Sequence, residues 1–182
     1  MGVKRILLAV AAFALAQPAV AREDVNVNGW LISEVTGKAC KATSYFRNRE
    51  TGNPSHVYIS YSAVGKFATV GFSNSKATSL KSGDKVSLRI LMQPLSISEN
   101  WIGREFHVGV IESGARYFWS EKLPVSTVEN FARATAIGFL TGQEKVSAFS
   151  LDGSAAAVRE LRKCAFEVAG LDHLNVDDPF LK

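Results

Sequence analysis

The two cysteines are the residues whose chemistry is easiest to predict from this sequence. Cys40 and Cys164 are the only cysteines, and neither belongs to a C-x-x-C motif. An even cysteine count in an oxidising compartment favours pairing, so we expect a structural disulfide between them. Closing a loop of about 125 residues would stabilise the fold by about 4–5 kcal/mol. The alternatives are two free thiols or one catalytic nucleophile, but no histidine is near either cysteine in the sequence.

The common catalytic and metal-binding motifs are missing from the sequence. It contains no G-x-S-x-G nucleophile elbow, and we interpret Gly153-Ser154 as the cap of a final helix. Zinc sites need closely spaced ligands, whereas His56, His107 and His173 are isolated and are interpreted as surface histidines. No glycine-rich phosphate loop is present. We therefore predict no catalytic residue, no bound metal and no cofactor.

Carboxylates leave one catalytic alternative open. A glycosidase uses two carboxylates that need not be close in sequence. Glu99, Glu105 and Glu112 are the candidates, and they would favour a hydrolase if they clustered around Trp101 in a cleft.

Four aromatic residues are candidates for binding. Trp101, Trp119, Tyr58 and Tyr117 could line a ligand groove or a partner surface, because aromatic side chains anchor interfaces more than other classes do. The alternative is that they pack in the core. Trp101 is predicted to be the most exposed, since it falls in a loop predicted between residues 94 and 103.

Short β-segments separated by turn residues run from Gly29 to about Trp119. In the segment from His56 to Ser62, alternate residues share one apolar face. Such alternation is typical of an antiparallel sheet with one face on a core. Further strands are predicted at 30–33, 39–46, 66–73, 85–92, 104–112 and 115–119.

The C-terminal third mixes strands with two helices. Ser126 and Glu129 form a capping-box pattern that predicts a short helix to about Ala134. Strands at 136–141 and 145–151 follow, then a helix from Ala155 to about Val168 with one apolar stripe. We expect a mainly β (α+β) fold: an antiparallel β-sandwich or partly open barrel, with the short helix and the C-terminal helix packed on it.

The first 21 residues resemble an export signal. Lys4 and Arg5 precede an apolar run, and Ala19-Val20-Ala21 offers a small-x-small cleavage site. The alternatives are a buried N-terminal helix or cleavage after Ala16. We predict a signal peptide at 1–21 and one exported domain at 22–182, in the bacterial periplasm or secreted.

The charge of the mature chain argues against nucleic acid as a partner. The full chain has 21 basic and 17 acidic side chains, and the leader removes two basic ones. The near-neutral remainder has no basic stripe of the kind nucleic acid requires. Lys76, Lys81 and Lys85 are interpreted as a solvated loop face. No later segment is apolar for long enough to act as a transmembrane anchor.

One stretch resembles a known family. The run from Val146 to Ala157, Trp30 with Cys40 ten residues later, and the helix before Ala136 are similar to the invasion-associated locus B family of small exported alphaproteobacterial proteins. The resemblance implies a periplasmic β-rich module and offers no established catalytic residues to carry over. This chain lacks the middle cysteine pair of that family, so a role in host-cell entry does not carry over with it.

These observations favour a non-catalytic envelope protein that binds a partner protein or an envelope component. One alternative is a hydrolase acting on cell-wall glycan or peptide. The other is an inhibitor or immunity-type protein that presents a rigid loop from Leu95 to Gly103.

Overall fold

The computed structural model describes residues 22–35, 38–47, 52, 54–94, 104–111, 114–142 and 144–171. Several predictions concern residues outside this set: the signal peptide at 1–21, the loop at 95–103, and the side chains of Glu99, Trp101, Glu112 and His173.

Within the described residues, ten antiparallel strands form one continuous sheet. They are β1 (Val25–Val27), β2 (Trp30–Val35), β3 (Ala39–Arg47), β4 (Pro54–Ser62), β5 (Phe67–Asn74), β6 (Lys85–Gln93), β7 (Arg104–Val110), β8 (Arg116–Ser120), β9 (Ala136–Thr141) and β10 (Glu144–Ser150). Their order across the sheet is β1-β2-β3-β4-β5-β8-β7-β6-β9-β10. Together with two helices, this sheet confirms the predicted mainly β fold.

The sheet curls over its own inner face, and the core lies inside the curl. Phe72 on β5 stacks on Phe139 of β9, with ring centroids 4.0 Å apart. Phe46 of β3 meets Phe149 of β10 at 5.5 Å. Asn74 at the end of β5 donates to a backbone carbonyl of β10 over 2.9 Å. Strands β9 and β10 therefore cover the inner face of the central strands, while β1 and β10 remain as the two edges.

Helix α1 spans Ser126–Arg133, but the predicted capping box is wrong. Val125 is the residue before the helix, its backbone is already right-handed helical (φ −59°, ψ −33°), and no side chain caps the terminus. The Thr127 amide donates to the Pro124 carbonyl over 3.0 Å. The turn thus begins at Pro124, so Ser126 lies inside the helix and lacks the extended backbone that an N-cap residue needs.

Helix α2 spans Ser154–Ala169, and of the predicted cap Gly153-Ser154, Gly153 occupies the N-cap position while Ser154 is the first residue of the helix. Gly153 precedes the helix in a left-handed conformation, with φ at 78°. The Ser154 hydroxyl instead donates to the Phe131 carbonyl of α1 over 3.1 Å. Trp30 closes the junction, because its indole Nε1 donates to the Asp152 carbonyl over 2.9 Å and its ring meets Phe131 edge-on.

The apolar stripe of α2 faces the sheet as predicted, with Leu161 and Ala165 fully buried. Arg162 on the same helix is only 5% exposed, and its guanidinium carbon lies 5.7 Å from the centre of the Tyr61 ring. A guanidinium is buried at lower cost over an aromatic face than in purely aliphatic surroundings.

The predicted disulfide is present. Cys40 on β3 and Cys164 on α2 are bonded, with Cα atoms 6.0 Å apart. The bond fastens the last helix to the early part of the sheet.

Neither α1 nor α2 is long and apolar enough to cross a membrane, and the described residues contain no other candidate helix.

Candidate functional site

Aromatic rings gather on the outer face of the sheet, away from the core. We call this surface the outer aromatic face; its members are Tyr45, His56, Tyr58, His107, Tyr117 and Trp119. They come from β3, β4, β7 and β8, and each occupies an outward position in the alternation of its strand.

Strand register sets the first row of this face. Tyr58 lies opposite Gly71, and Gly71 lies opposite Trp119. Trp119 in turn lies opposite His107, and His107 lies opposite Lys85. A single transverse line therefore crosses β4, β5, β8, β7 and β6.

A second row runs beside the first. Tyr45 lies opposite His56, whose backbone amide donates to the Ser73 hydroxyl over 2.9 Å. Ser73 lies opposite Tyr117, and Tyr117 lies opposite Gly109. Each row has one small residue between two rings: Gly71 lies between Tyr58 and Trp119, and Ser73 lies between the strand positions of His56 and Tyr117.

The rings of the two rows make one continuous chain of contacts. The centroids of Tyr45 and His56 are 5.9 Å apart, and those of His56 and Tyr117 are 5.6 Å apart. Trp119 then lies 5.5 Å from Tyr117 and 5.5 Å from His107. These distances fall in the range in which aromatic pairs attract one another beyond simple area burial.

Two glycines allow the rings to lie over the backbone. A Cβ on Gly71 would overlap the Tyr58 ring and the Phe118 carbonyl oxygen. A Cβ on Gly109 would stand 3.1 Å from Cζ3 of Trp119. Glycine within a strand often marks such a close approach.

The burial of the rings differs between the two ends of the outer aromatic face. Tyr58 is only 5% exposed and lies nearly parallel to Tyr117, with centroids 5.7 Å apart. Burial, followed by the neighbouring Tyr117 phenol, raises the pKa of Tyr58 far above its usual value. Burial likewise raises the pKa of Tyr117. Tyr45 at the other extreme is 65% exposed, so the face has a buried base and an open end.

A cleft of about 510 Å³ opens at that end, within the size range of small-ligand sites. Tyr45 and His56 belong to both the cleft and the outer aromatic face. Hydroxyl groups of Ser55, Ser73 and Thr78 line the cleft as well. Burial, and to a smaller degree the charge of Lys41, lowers the pKa of His56, which favours the neutral imidazole.

Arg116 holds one wall of the cleft in shape. Its Nε donates to the Leu80 carbonyl over 2.7 Å, and its two terminal nitrogens donate to the carbonyls of Thr78 and Gly114. The guanidinium therefore clamps the loop between β5 and β6 onto the start of β8.

A charged cluster closes the other end of the first row. The ligand atoms of Glu105, His107 and Glu121 lie within 4.8 Å of one another. The histidine that looked isolated in sequence thus lies beside two carboxylates, a donor set that zinc can take. Lys85 begins β6 rather than lying in a loop, and its Nζ is 2.6 Å from Glu105 and 4.0 Å from Glu121. Because this ammonium occupies the cluster, a divalent cation would have to displace it.

Of the aromatic residues predicted from sequence, Tyr58, Tyr117 and Trp119 come together here, while Trp101 lies outside the described residues. Tyr45 and His56 were missed. Each precedes an inward-facing apolar residue, Phe46 or Val57, and that period of two was the available signal. Among the predicted carboxylates, Glu105 lies in the charged cluster with Glu121, which was missed; Glu99 and Glu112 are outside the described part of the chain.

Comparison with known proteins gives a likeness of fold. No protein-family model matches the chain, and no curated protein matches it. The crystal structure of invasion associated protein B from Bartonella henselae is similar to it, with a TM-score of 0.53. The match covers 78% of this chain and 97% of that chain at 9% sequence identity. The resemblance noted in the sequence is therefore confirmed at the level of fold, and identity this low carries no activity with it.

Proposed function

We propose that this protein is a non-catalytic, exported binding protein of the bacterial envelope, and that the outer aromatic face binds a partner protein or an envelope component. The carrying observation is the unbroken chain of ring contacts from Tyr45 to His107 across four strands. Core packing explains the other aromatic cluster around Phe72, but it does not explain rings on the outward side of the sheet.

Preorganisation makes this face suited to binding. The rings are held by each other and by the strands beneath them, so binding would immobilise few side chains that were free before. Ordering a flexible side chain on binding costs about 0.5–1.5 kcal/mol, and rigid aromatic anchors avoid much of that cost.

Two observations support a location outside the cytoplasm. The Cys40–Cys164 disulfide is of a kind that persists in oxidising compartments. The fold neighbour is named for an association with invasion, which fits a protein that acts at or beyond the cell envelope. Both agree with the export signal predicted at residues 1–21.

Hydrolysis is the weaker alternative. A glycosidase needs a carboxylic acid whose pKa is raised, so that it is protonated near neutral pH. A hydrogen bond from Lys85 instead lowers the pKa of Glu105. This direction favours the ionised carboxylate and disfavours Glu105 as the general acid.

A pull-down from solubilised bacterial envelopes tests the proposal. The mature protein is expected to retain envelope material, and the Trp119→Ala and Tyr45→Ala variants are expected to retain several-fold less. Leu171→Ala is the matched control, because Leu171 is also an exposed apolar residue (44%) but follows α2. Equal retention by all four proteins, with unfolding temperatures unchanged, would contradict the proposal.

A further inference from the structure

We infer that the ligand of the outer aromatic face is an uncharged glycan chain, with one sugar unit seated in the cleft between Tyr45 and Arg116. This inference rests on the proposed function and names the chemical class of its ligand.

The composition of the face favours a sugar over a protein surface. From His56 onward on β4, and throughout β5, β7 and β8, the outward positions carry aromatic, hydroxyl, charged or glycine residues. No aliphatic side chain is among them in these described strands, although the exposed Ile111, just after β7, lines the cleft. Protein interfaces build a dry apolar core that excludes water. A pyranose instead offers one C–H face for a ring and a rim of hydroxyls for polar groups, which is the combination this surface presents.

The shape of the face favours a chain. Successive ring centroids lie 5.5–5.9 Å apart from Tyr45 to His107, so these rings form a line of contacts across four strands, with Tyr58 beside it at 5.7 Å from Tyr117. A linear oligosaccharide could place successive sugar rings along this line. The cleft of about 510 Å³ lies at the exposed end of the line, where Tyr45 and His56 continue into its wall.

The charge of the cleft favours an uncharged unit. Hydroxyls of Ser55, Ser73 and Thr78 offer donors and acceptors, and no carboxylate lines the cleft in the part of the chain that the structure describes. Its one guanidinium, on Arg116, already donates to three backbone carbonyls. The neutral imidazole favoured at His56 adds no formal charge.

Calorimetric titration of the mature protein with three uncharged hexasaccharides tests the inference. The probes are hexamers of α-1,4-linked glucose, β-1,4-linked glucose and β-1,4-linked N-acetylglucosamine. At least one is expected to bind, and Trp119→Ala is expected to weaken that binding at least tenfold. Ala115→Leu fills the cleft without removing a ring and is expected to have an effect of similar size. Leu171→Ala should bind as the wild type does.

The outcomes separate this inference from the proposed function. If no hexasaccharide binds while envelope retention still depends on Trp119, the glycan assignment is wrong and the binding function stands. If the envelope component whose retention depends on Trp119 is a protein, the glycan assignment is also wrong. If Ala115→Leu binds the hexasaccharide normally, the cleft assignment fails. If the wild type binds no hexasaccharide and retains no envelope material, both proposals are wrong.

Discussion

His56 shows how one side chain links the site to the stability of the protein. Its ring contacts Tyr45 and Tyr117, and it also lines the cleft. Burial, and then the charge of Lys41, lowers the pKa of this imidazole. The folded protein therefore takes up a proton at His56 less readily than the unfolded chain, whose histidines titrate at a pKa of about 6.5.

We predict that this difference weakens the fold in mild acid. As pH falls below about 6.5, the unfolded chain binds the His56 proton before the folded protein does, so the free energy of unfolding decreases. His56→Gln removes the titrating group, and its melting temperature is expected to fall less than that of the wild type between pH 7 and pH 5. Thermal melts of both proteins across this range check the prediction. Parallel pH profiles would show that His56 does not contribute.

At the scale of secondary-structure elements, the junction between α1 and α2 determines where α2 begins. Gly153 has a left-handed backbone, and an added Cβ would stand 2.8 Å from the Asn28 Cβ and 2.9 Å from the Asn28 carbonyl oxygen. The β1–β2 turn thus packs directly against the start of α2. Ser154 and Trp30 hydrogen-bond to carbonyls at the same junction. Backbone contacts, rather than side-chain caps, fix where α2 begins.

Gly153→Ala is therefore expected to cost more than a change of backbone preference alone. A left-handed conformation costs a residue with a Cβ about 1–2 kcal/mol, and the contact with Asn28 adds to that. Gly170→Ala is the matched control, because Gly170 is also left-handed but has open space around it. Urea unfolding should show a loss of about 2–3 kcal/mol for Gly153→Ala and about 1 kcal/mol for Gly170→Ala. Equal losses of unfolding free energy in the two variants would show that the close contact with Asn28 does not contribute to the cost.

At the scale of the whole molecule, the disulfide joins the early strand β3 to the last helix. Cys40 and Cys164 are separated by 124 positions. Arg22, the first described residue, also pairs with Glu160 and Glu167 on α2. Helix α2 therefore holds both the first described residue and an early strand.

Replacing both cysteines by alanine is expected to lower the free energy of unfolding by about 4–5 kcal/mol, because the unfolded chain regains the entropy of a long open loop. Guanidinium unfolding of the oxidised wild type and of the double variant measures the loss. The reduced wild type should match the double variant. A difference below about 1 kcal/mol would show that packing of α2 on the sheet holds the fold without the bond.

Much of the fold was readable from local pattern. Alternation of apolar residues fixed the strands and their inward faces, as in β5, where Ala68, Val70 and Phe72 are all buried. Such alternation follows from the geometry of an extended chain and needs no partner. The pairing of Cys40 with Cys164 followed from their being the only two cysteines. The capping box of α1 failed because the turn at Pro124 had already begun the helix, which local spacing does not reveal.

The candidate site depended on pairing between distant strands. Tyr58 and Trp119 are 61 positions apart, and they share a row only because β8 pairs with β5 and brings Gly71 between them. Glu121, by contrast, reaches His107 through the local pairing of the consecutive strands β7 and β8. Sequence by itself determined which face of each strand would be polar or aromatic, because side-chain alternation is a local property. Only the tertiary structure decided which of those faces became neighbours, because strand order and register are set by contacts far apart along the chain.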